Sequence, residues 1–298
     1  MQVAVLGPGG VGGFLAGVLA RAEVQVLILA GEETARAIAE SGIRVESKIA
    51  GDFHVTVETA TRLSHPVDAC LVTVKATQLH DALDRVPREA LGDALAIPFL
   101  NGLEHVDQLR TIYPPDQVVA GTIAVETVRL EAGVIRQISP FARVEFAPSA
   151  HTRERVEELA AALRQGGLDV RLRNDERAML WDKFAMLAPS ALMTTHERAN
   201  VGQVRTRRRE DFVALLGEVA TIANADGGSA DASRLIQLWD LVPETFETSM
   251  QRDQAAGRAL ELDAIGGALL RAAARHDIPV PVATRIVDDL GARTGVKI

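Results

Sequence analysis

The sequence predicts an α/β fold in which a doubly wound parallel sheet precedes an all-helical domain. In the first half, short apolar runs typical of buried parallel strands alternate with helical stretches, an order that favours βαβ units. After about Asn174 the strand patterns nearly vanish, and Gly and Pro residues separate successive helical patterns. A chain of 298 residues is also long for a single core. We therefore expect two domains, residues 1–173 and 174–298.

The individual elements follow from local apolar patterns. The predicted strands are Val3–Leu6, Val24–Leu29, His54–Val57, Ala69–Val74, Leu95–Leu100, Val118–Val125 and Val170–Leu172. A hairpin is expected from Val134–Ile138 and Arg143–Phe146, with Ser139-Pro140 as its turn. The helices predicted for the second domain cover about Asp175–Thr195, Arg205–Ala225, Ala232–Leu241, Ser249–Arg252, Ala259–His276 and Val282–Leu290.

Composition narrows the class of protein. Apolar residues make up 47% and charged residues 24%, as in ordinary globular proteins. A net charge of −8 argues against sequence-independent nucleic-acid binding, which needs clustered basic residues. No stretch is apolar for the roughly 18 residues that a membrane span requires, and the single cysteine, Cys70, cannot form an internal disulfide. We expect a soluble cytoplasmic protein.

A glycine-rich turn follows the first strand directly and opens the first helix. Its residues are Gly7, Pro8, Gly9, Gly10, Val11 and Gly12. Gly-x-Gly-x-x-Gly between a strand and a helix is the dinucleotide-binding fingerprint. Gly7 permits the tight turn, Gly9 lets the backbone approach a pyrophosphate, and Gly12 allows close packing of helix and strand. The helix N-terminus then attracts the phosphates, so the first domain is expected to be Rossmann-like.

Two polar residues are predicted at the carboxyl ends of strands, where open α/β sheets bind ligands. Lys75 closes the run Leu71–Lys75, and Asn101 follows the run Ile97–Leu100. Asn101-Gly102 is also a common turn pair. Lysine is rarely buried without a role, so Lys75 is the stronger candidate of the two.

Two charged residues stand on apolar helical faces in the second domain. Lys183 has Met179, Met186 and Leu187 one turn away, and lysines in such surroundings are paired or lie in a cleft where the pKa is perturbed. Glu261 begins a helix whose same face is apolar, and it is either an ordinary first-turn acid favoured by the helix dipole or the partner of a cation. A pairing of Glu261 with Lys183 would account for both charges. The seven histidines show no metal-ligand spacing, so no metal site is expected.

These motifs together resemble those of the ketopantoate reductases (2-dehydropantoate 2-reductases), in order along nearly the whole chain. The matching features are the glycine turn, Lys75 in Val74-Lys75-Ala76, Asn101-Gly102, Lys183 in Trp181-Asp182-Lys183-Phe184, Ser249-Met250 with Asp253, and Glu261-Leu262-Asp263. The resemblance implies NADPH-dependent reduction of ketopantoate to pantoate, a step of pantothenate and coenzyme A biosynthesis.

The resemblance also implies roles for single residues. Lys183 would be the general acid and Glu261 would orient it, while Ser249 and Asn101 would bind the substrate. Lys75 and Asn101 would lie beside the nicotinamide and its ribose, and Gly7 to Gly12 would bind the pyrophosphate.

Two family asparagines that contact substrate are replaced in this chain. They would stand four and eight residues after Lys183, where the sequence has Leu187 and Ala191. Thr194, Thr195 and His196 are the nearby polar residues available to compensate for this loss. The change leaves open a more apolar 2-oxo acid or hydroxy acid as substrate, because a site that hydrogen-bonds its substrate discriminates less when a partner is removed.

The sequence also leaves open which cofactor binds, how the chain assembles and whether it is an enzyme. The family commonly has a phosphate-binding arginine at the end of the second strand, where this chain has Ala30 followed by Gly31-Glu32-Glu33, with Arg36 a turn further on. The resemblance favours NADP(H), whereas an acidic residue here favours NAD(H). A homodimer is the expected assembly. A protein that binds NAD(P) as a redox sensor without catalysis is the non-enzymatic alternative.

Overall fold

A computed structural model describes residues 1–296 and 298. One compact unit combines Met1–Leu100 with His105–Glu176, and the other combines Asn101–Glu104 with Arg177–Ile298. The first is built on a parallel sheet flanked by helices and the second is helical. The predicted fold class is therefore confirmed.

The first unit contains all the strands found in the described residues. They are β1 (Gln2–Leu6), β2 (Gln25–Leu29), β3 (Ile43–Ser47), β4 (Phe53–Val55), β5 (Glu58–Ala60), β6 (Ala69–Val72), β7 (Leu95–Pro98), β8 (Ala120–Ala124), β9 (Thr127–Glu131), β10 (Val134–Gln137), β11 (Arg143–Ala147) and β12 (Asp169–Leu172). The helices up to this point are α1 (Gly10–Arg21), α2 (Glu32–Ser41), α3 (Leu79–Leu83), α4 (Arg88–Leu91), α5 (His105–Ile112) and α6 (Arg153–Gln165).

The main sheet has five parallel strands in the order β5-β2-β1-β6-β7. The inner strands are apolar and almost fully buried, as expected for parallel strands covered on both faces. From α1, Phe14, Leu15 and Val18 enter the same core with no exposed surface. Because all five strands run the same way, their carboxyl ends share one edge of the sheet, and the glycine turn leaves β1 at that edge.

The predicted hairpin is wrong. β10 pairs with β9 antiparallel and with β3 parallel, in the sheet β4-β3-β10-β9. β11 belongs to a different sheet, in which it pairs with β8 and β12. The apolar patterns of β10 and β11 predicted two strands correctly. β10 forms its hairpin with β9, the strand directly before it, and β11 pairs with strands outside this hairpin. The Ser139-Pro140 turn signal therefore predicted the wrong pair.

The second unit consists of helices. They are α7 (Glu176–Glu197), α8 (Val201–Arg207), α9 (Arg209–Ala225), α10 (Ala232–Leu241), α11 (Ser249–Ala255), α12 (Ala268–Arg275) and α13 (Pro281–Thr294). A π-helical turn, Asp263–Gly267, precedes α12 and continues into it. The single helix predicted over Arg205–Ala225 is thus divided at Arg208. The helix predicted over Ala259–His276 starts later, and its first part is π-helical instead of α-helical.

Candidate active site

The glycine turn is tightly bonded to the strands beside it. Gly7 has a φ of +87°, a conformation that favours glycine, and its N–H donates to the Leu29 carbonyl at 3.0 Å. The Thr73 hydroxyl donates to the carbonyls of Leu6 and Gly7, at 2.9 and 2.8 Å. A Cβ at Gly12 would overlap both the Gly7 carbonyl oxygen and the Thr73 hydroxyl. The backbone here allows no side chain at position 12, as the fingerprint predicts.

The turn and the first helix fit the pyrophosphate of a dinucleotide. A Cβ added at Gly9 would meet no atom within 4 Å, so the backbone there faces open space. Within the described residues no side chain caps the start of α1, and its first turn holds no acidic residue. The uncapped N–H groups and the positive end of the helix dipole therefore remain available to an anion.

Lys75 lies beyond the end of β6 rather than closing a strand. β6 ends at Val72, and Lys75 stands at the start of a short 3₁₀ turn, Ala76–Gln78, where its carbonyl accepts from the Gln78 N–H at 2.9 Å. Its side chain is half-buried. The prediction that Lys75 follows the carboxyl edge of the main sheet holds, and its role toward a cofactor stays a prediction.

Lys183 and Glu261 lie within each other's electrostatic reach in the second unit. Glu261 is only 6% exposed, and Lys183 projects from the mostly buried helix α7. Burial lowers the pKa of Lys183 from 10.5 to about 8, while the negative charge of Glu261 acts to raise it. A lysine with such a pKa is ammonium at neutral pH yet releases a proton readily, which suits a group that transfers protons.

Asn101 contacts the Glu261 carboxylate directly. Its side-chain amide donates to Glu261 Oε2 at 3.1 Å. Gly102 has a φ of +106°, and a Cβ there would lie 2.6 Å from the Ala264 carbonyl oxygen, so the turn packs closely on the π-helical segment. The sequence placed Asn101 after a strand. The structure groups it with the helical unit and brings it to Glu261.

An ion-pair cluster that the sequence analysis missed holds this turn in place. The Arg271 guanidinium donates to Glu104 Oε1 at 2.9 Å and Oε2 at 2.7 Å, and to Asp263 Oδ1 at 2.7 Å. Glu104 lies three residues after Asn101, and Asp263 lies two residues after Glu261. Arg271 therefore links the two backbone segments that carry the Asn101–Glu261 contact. Glu104 and Arg271 belong to no motif, and because they are 167 positions apart no local pattern could have revealed their pairing.

Ser249 is the exposed first residue of α11, whose N-terminus is anchored to α7. The preceding residue, Thr248, caps the helix by accepting from the Gln251 N–H at 3.3 Å. Its hydroxyl also lies 2.9 Å from that of Thr194, which is three turns beyond Lys183 on α7. Ser249 is thus presented from a fixed helix end, and substrate binding by it stays a prediction.

The polar residues near the replaced asparagines are mostly engaged elsewhere. Thr194 donates to the Ser190 carbonyl at 2.8 Å in addition to its contact with Thr248. The His196 ring contacts Glu197 and Asp289 at 2.8 and 3.1 Å. Thr195 Oγ1 is buried without a hydrogen-bond partner within the described residues. The positions one and two turns after Lys183 are occupied by Leu187, which is half-buried, and Ala191, which is buried.

None of the helices in residues 1–296 and 298 is long and apolar enough to cross a membrane. In the same part of the chain, no three His, Cys, Asp or Glu side chains form a group that could hold a metal ion.

Known proteins resemble the chain over nearly its whole length. The family model described as Ketopantoate reductase PanE/ApbA matches residues 3–150, and its C-terminal companion matches residues 175–293. A 2-dehydropantoate 2-reductase of Halobacterium salinarum is 29% identical over 302 residues and covers 97% of each chain. A PanE/ApbA family ketopantoate reductase structure from Ralstonia eutropha JMP134 has a TM-score of 0.87 at 25% identity, covering 99% of this chain and 100% of that chain. A D-mandelate dehydrogenase solved with NADH and anilino(oxo)acetate shares the fold, with a TM-score of 0.89 at 18% identity over 99% of each chain.

Proposed function

Because the chain belongs to the ketopantoate reductase family, and is thus an oxidoreductase acting on CH–OH groups, we propose that it reduces a 2-oxo acid to the 2-hydroxy acid. Ketopantoate is the first substrate candidate, because relatives matching nearly the full chain are named for it. The observation that carries the proposal is the charge arrangement in the helical unit: Lys183, on the mostly buried helix α7, lies within electrostatic reach of the buried Glu261 carboxylate, which accepts a hydrogen bond from Asn101.

The cofactor and the protein contribute different parts of the proposed reaction. The family and the fold imply a nicotinamide cofactor, which when bound supplies the hydride. Hydride addition to a carbonyl leaves negative charge on oxygen, and a positioned ammonium both stabilises that charge and neutralises it. We assign this step to Lys183, whose Nζ donates the proton. Glu261 keeps Lys183 charged, and the amide of Asn101 holds the Glu261 carboxylate at 3.1 Å.

The rates of reduction and of oxidation should depend on pH in opposite ways, because each needs a different protonation state of Lys183. Reduction needs the ammonium, so kcat/KM should be level below about pH 8 and fall by about tenfold per pH unit above it. Oxidation of the 2-hydroxy acid needs the free amine and should rise with pH to a plateau above the same pKa. Initial rates in both directions from about pH 6 to pH 10 test this. In Glu261→Gln the loss of the negative charge should move both curves to lower pH. Reduction that stays constant up to the highest pH would contradict the assignment.

The substrate is tested with a matched pair of 2-oxo acids. Trimethylpyruvate is ketopantoate without its hydroxyl group, so the ratio of the two kcat/KM values isolates recognition of that hydroxyl. A site that hydrogen-bonds it should prefer ketopantoate by at least about a hundredfold. The ratio should be measured with both NADPH and NADH. Binding of either cofactor with no oxidation by any 2-oxo acid would instead favour a non-catalytic sensor.

Leu187 and Ala191 favour a second candidate, a 2-oxo acid with a purely apolar side chain. On this alternative, trimethylpyruvate or a similar branched acid has the higher kcat/KM. Leu187→Asn should then shift the ratio toward ketopantoate by about five- to tenfold, the value of one hydrogen bond. Leu187→Met keeps the volume without adding a donor and should leave the ratio unchanged. An equal shift in both variants would mean that packing, not hydrogen bonding, sets the preference.

A further inference from the structure

Arg85 brings a guanidinium to the carboxyl edge of the main sheet. Its Nη1 donates to the carbonyls of Ala30 at 3.2 Å and Thr61 at 2.8 Å. These are the first residues after β2 and β5, neighbouring strands of that sheet. Two hydrogen bonds from one nitrogen fix the plane of the guanidinium, so the group is held in place before any ligand arrives.

The rest of the guanidinium points toward the start of α2. Its Nη2 lies 3.8 Å from the place that a Cβ on Gly31 would occupy. Gly31 is the N-cap residue of α2 and carries no side-chain cap. Across residues 1–296 and 298, Arg85 forms no ion pair with a carboxylate, and its side-chain hydrogen bonds all use Nη1. Nη2 and Nε therefore retain donors at this edge.

The backbone of Arg85 is also fixed. Its N–H donates to the Ala82 carbonyl at 3.0 Å, and its carbonyl accepts from the Leu63 N–H at 2.8 Å. The side chain is half-buried. An arginine ordered at both ends loses little conformational freedom on binding an anion, so more of the interaction energy appears as affinity.

In the dinucleotide-binding fold, the end of the second strand receives the adenosine ribose, and an arginine nearby accommodates a 2′-phosphate. Ala30 leaves that strand end without its own basic residue. We propose that Arg85, reaching over from the segment after α3, holds the 2′-phosphate and makes NADP(H) the preferred cofactor. This inference names the cofactor of the proposed function and rests on that function for the reaction. Binding of the 2′-phosphate by Arg85 does not depend on it.

The acidic residues at this edge do not outweigh Arg85. Glu32 and Glu33 in the first turn of α2 are both exposed, and exposed charges are screened by solvent and salt. Arg36 on the same helix is exposed as well. Among these charged groups, Arg85 is the one that hydrogen bonds orient at the end of β2.

The test measures binding of nucleotide fragments that contain no nicotinamide. Adenosine 2′,5′-bisphosphate and adenosine 5′-monophosphate differ only in the 2′-phosphate, and calorimetry gives a Kd for each. The full-length wild type should bind the bisphosphate at least about tenfold more tightly, a difference typical of one charge-assisted contact. In Arg85→Ala this preference should fall to about one, with the affinity for the monophosphate unchanged. Arg85→Lys should keep part of the preference.

Matched controls separate this role from a structural one. Arg88→Ala removes an exposed arginine three residues further on and should leave both Kd values unchanged. Arg85→Gln retains a donor for the strand-end carbonyls, so it tests the charge even if Arg85→Ala proves unstable. A preference that survives in Arg85→Gln, or that disappears in Arg36→Ala instead, would overturn the proposal, as would a wild type that binds both nucleotides equally. Because no turnover is involved, failure of 2-oxo acid reduction would leave this result standing.

Discussion

Replacing Lys183 by alanine is expected to lower kcat for 2-oxo acid reduction by about 10²- to 10⁴-fold, the usual contribution of a general acid. The ammonium is the group that we assign to the developing alkoxide, and its loss leaves that charge without a proton. The affinity for the nicotinamide cofactor should stay nearly constant, because the glycine turn and the start of α1 belong to the other compact unit. Stopped-flow or steady-state rates give kcat, and quenching of protein fluorescence gives the cofactor Kd.

Two further variants make the Lys183 result specific. Lys183→Arg keeps a positive charge but cannot release a proton at any ordinary pH, so it should remain slow and lose the pH dependence centred near pH 8. Lys48→Ala removes an exposed lysine and should behave as wild type. If Lys183→Ala turned over normally, Lys183 would have no part in proton transfer.

Replacing Gly12 by alanine is expected to reduce the free energy of unfolding by about 1–3 kcal/mol, the usual cost of overpacking. The new Cβ would overlap the Gly7 carbonyl oxygen and the Thr73 hydroxyl, and a backbone carbonyl cannot turn aside as a flexible side chain can. Separation of α1 from β1 should also lower the affinity for the dinucleotide by at least about tenfold. Urea denaturation and fluorescence titration measure the two effects.

Gly9 provides the matched control for Gly12. A methyl group at Gly9 would meet no protein atom within 4 Å, so Gly9→Ala should leave the unfolding midpoint unchanged. It should still weaken dinucleotide binding, because the pyrophosphate approaches the backbone at this residue. Equal destabilisation by both substitutions would show that the turn depends on glycine for backbone conformation alone.

The most reliable sequence predictions were those in which local pattern and long-range packing require the same residues. The strand–glycine turn–helix unit at the N-terminus is one, since Gly7 and Gly12 are required by contacts within the turn or with Thr73 and Val74, just beyond the adjacent strand β6. The predicted pairing of β10 with β11 is the opposite case. β10 pairs with the directly preceding β9 and the remote β3, while β11 pairs with β8 and β12. The alternating pattern could not distinguish these arrangements, because it is satisfied equally well by any neighbour.

In the candidate site, too, local patterns revealed some residues and not others. Lys183 was noticed because a lysine on an apolar helical face is expected to have a charged partner. Glu261, 78 residues later in the sequence, was the candidate partner. Arg85 and Arg271 resembled ordinary surface arginines, since nothing within a helical turn marks them. Their importance comes only from the groups that the fold brings to them, namely the Ala30 and Thr61 carbonyls for Arg85 and Glu104 for Arg271.

The short segment Asn101–Glu104 has a consequence for recombining relatives. It lies in the first half of the chain but forms part of the helical unit, with Asn101 on Glu261 and Glu104 on Arg271. A chimera made by a single crossover near residue 176 would combine these four residues from one parent with Glu261 and Arg271 from the other. Domain exchange that preserves the site must therefore transplant Asn101–Glu104 together with Arg177–Ile298.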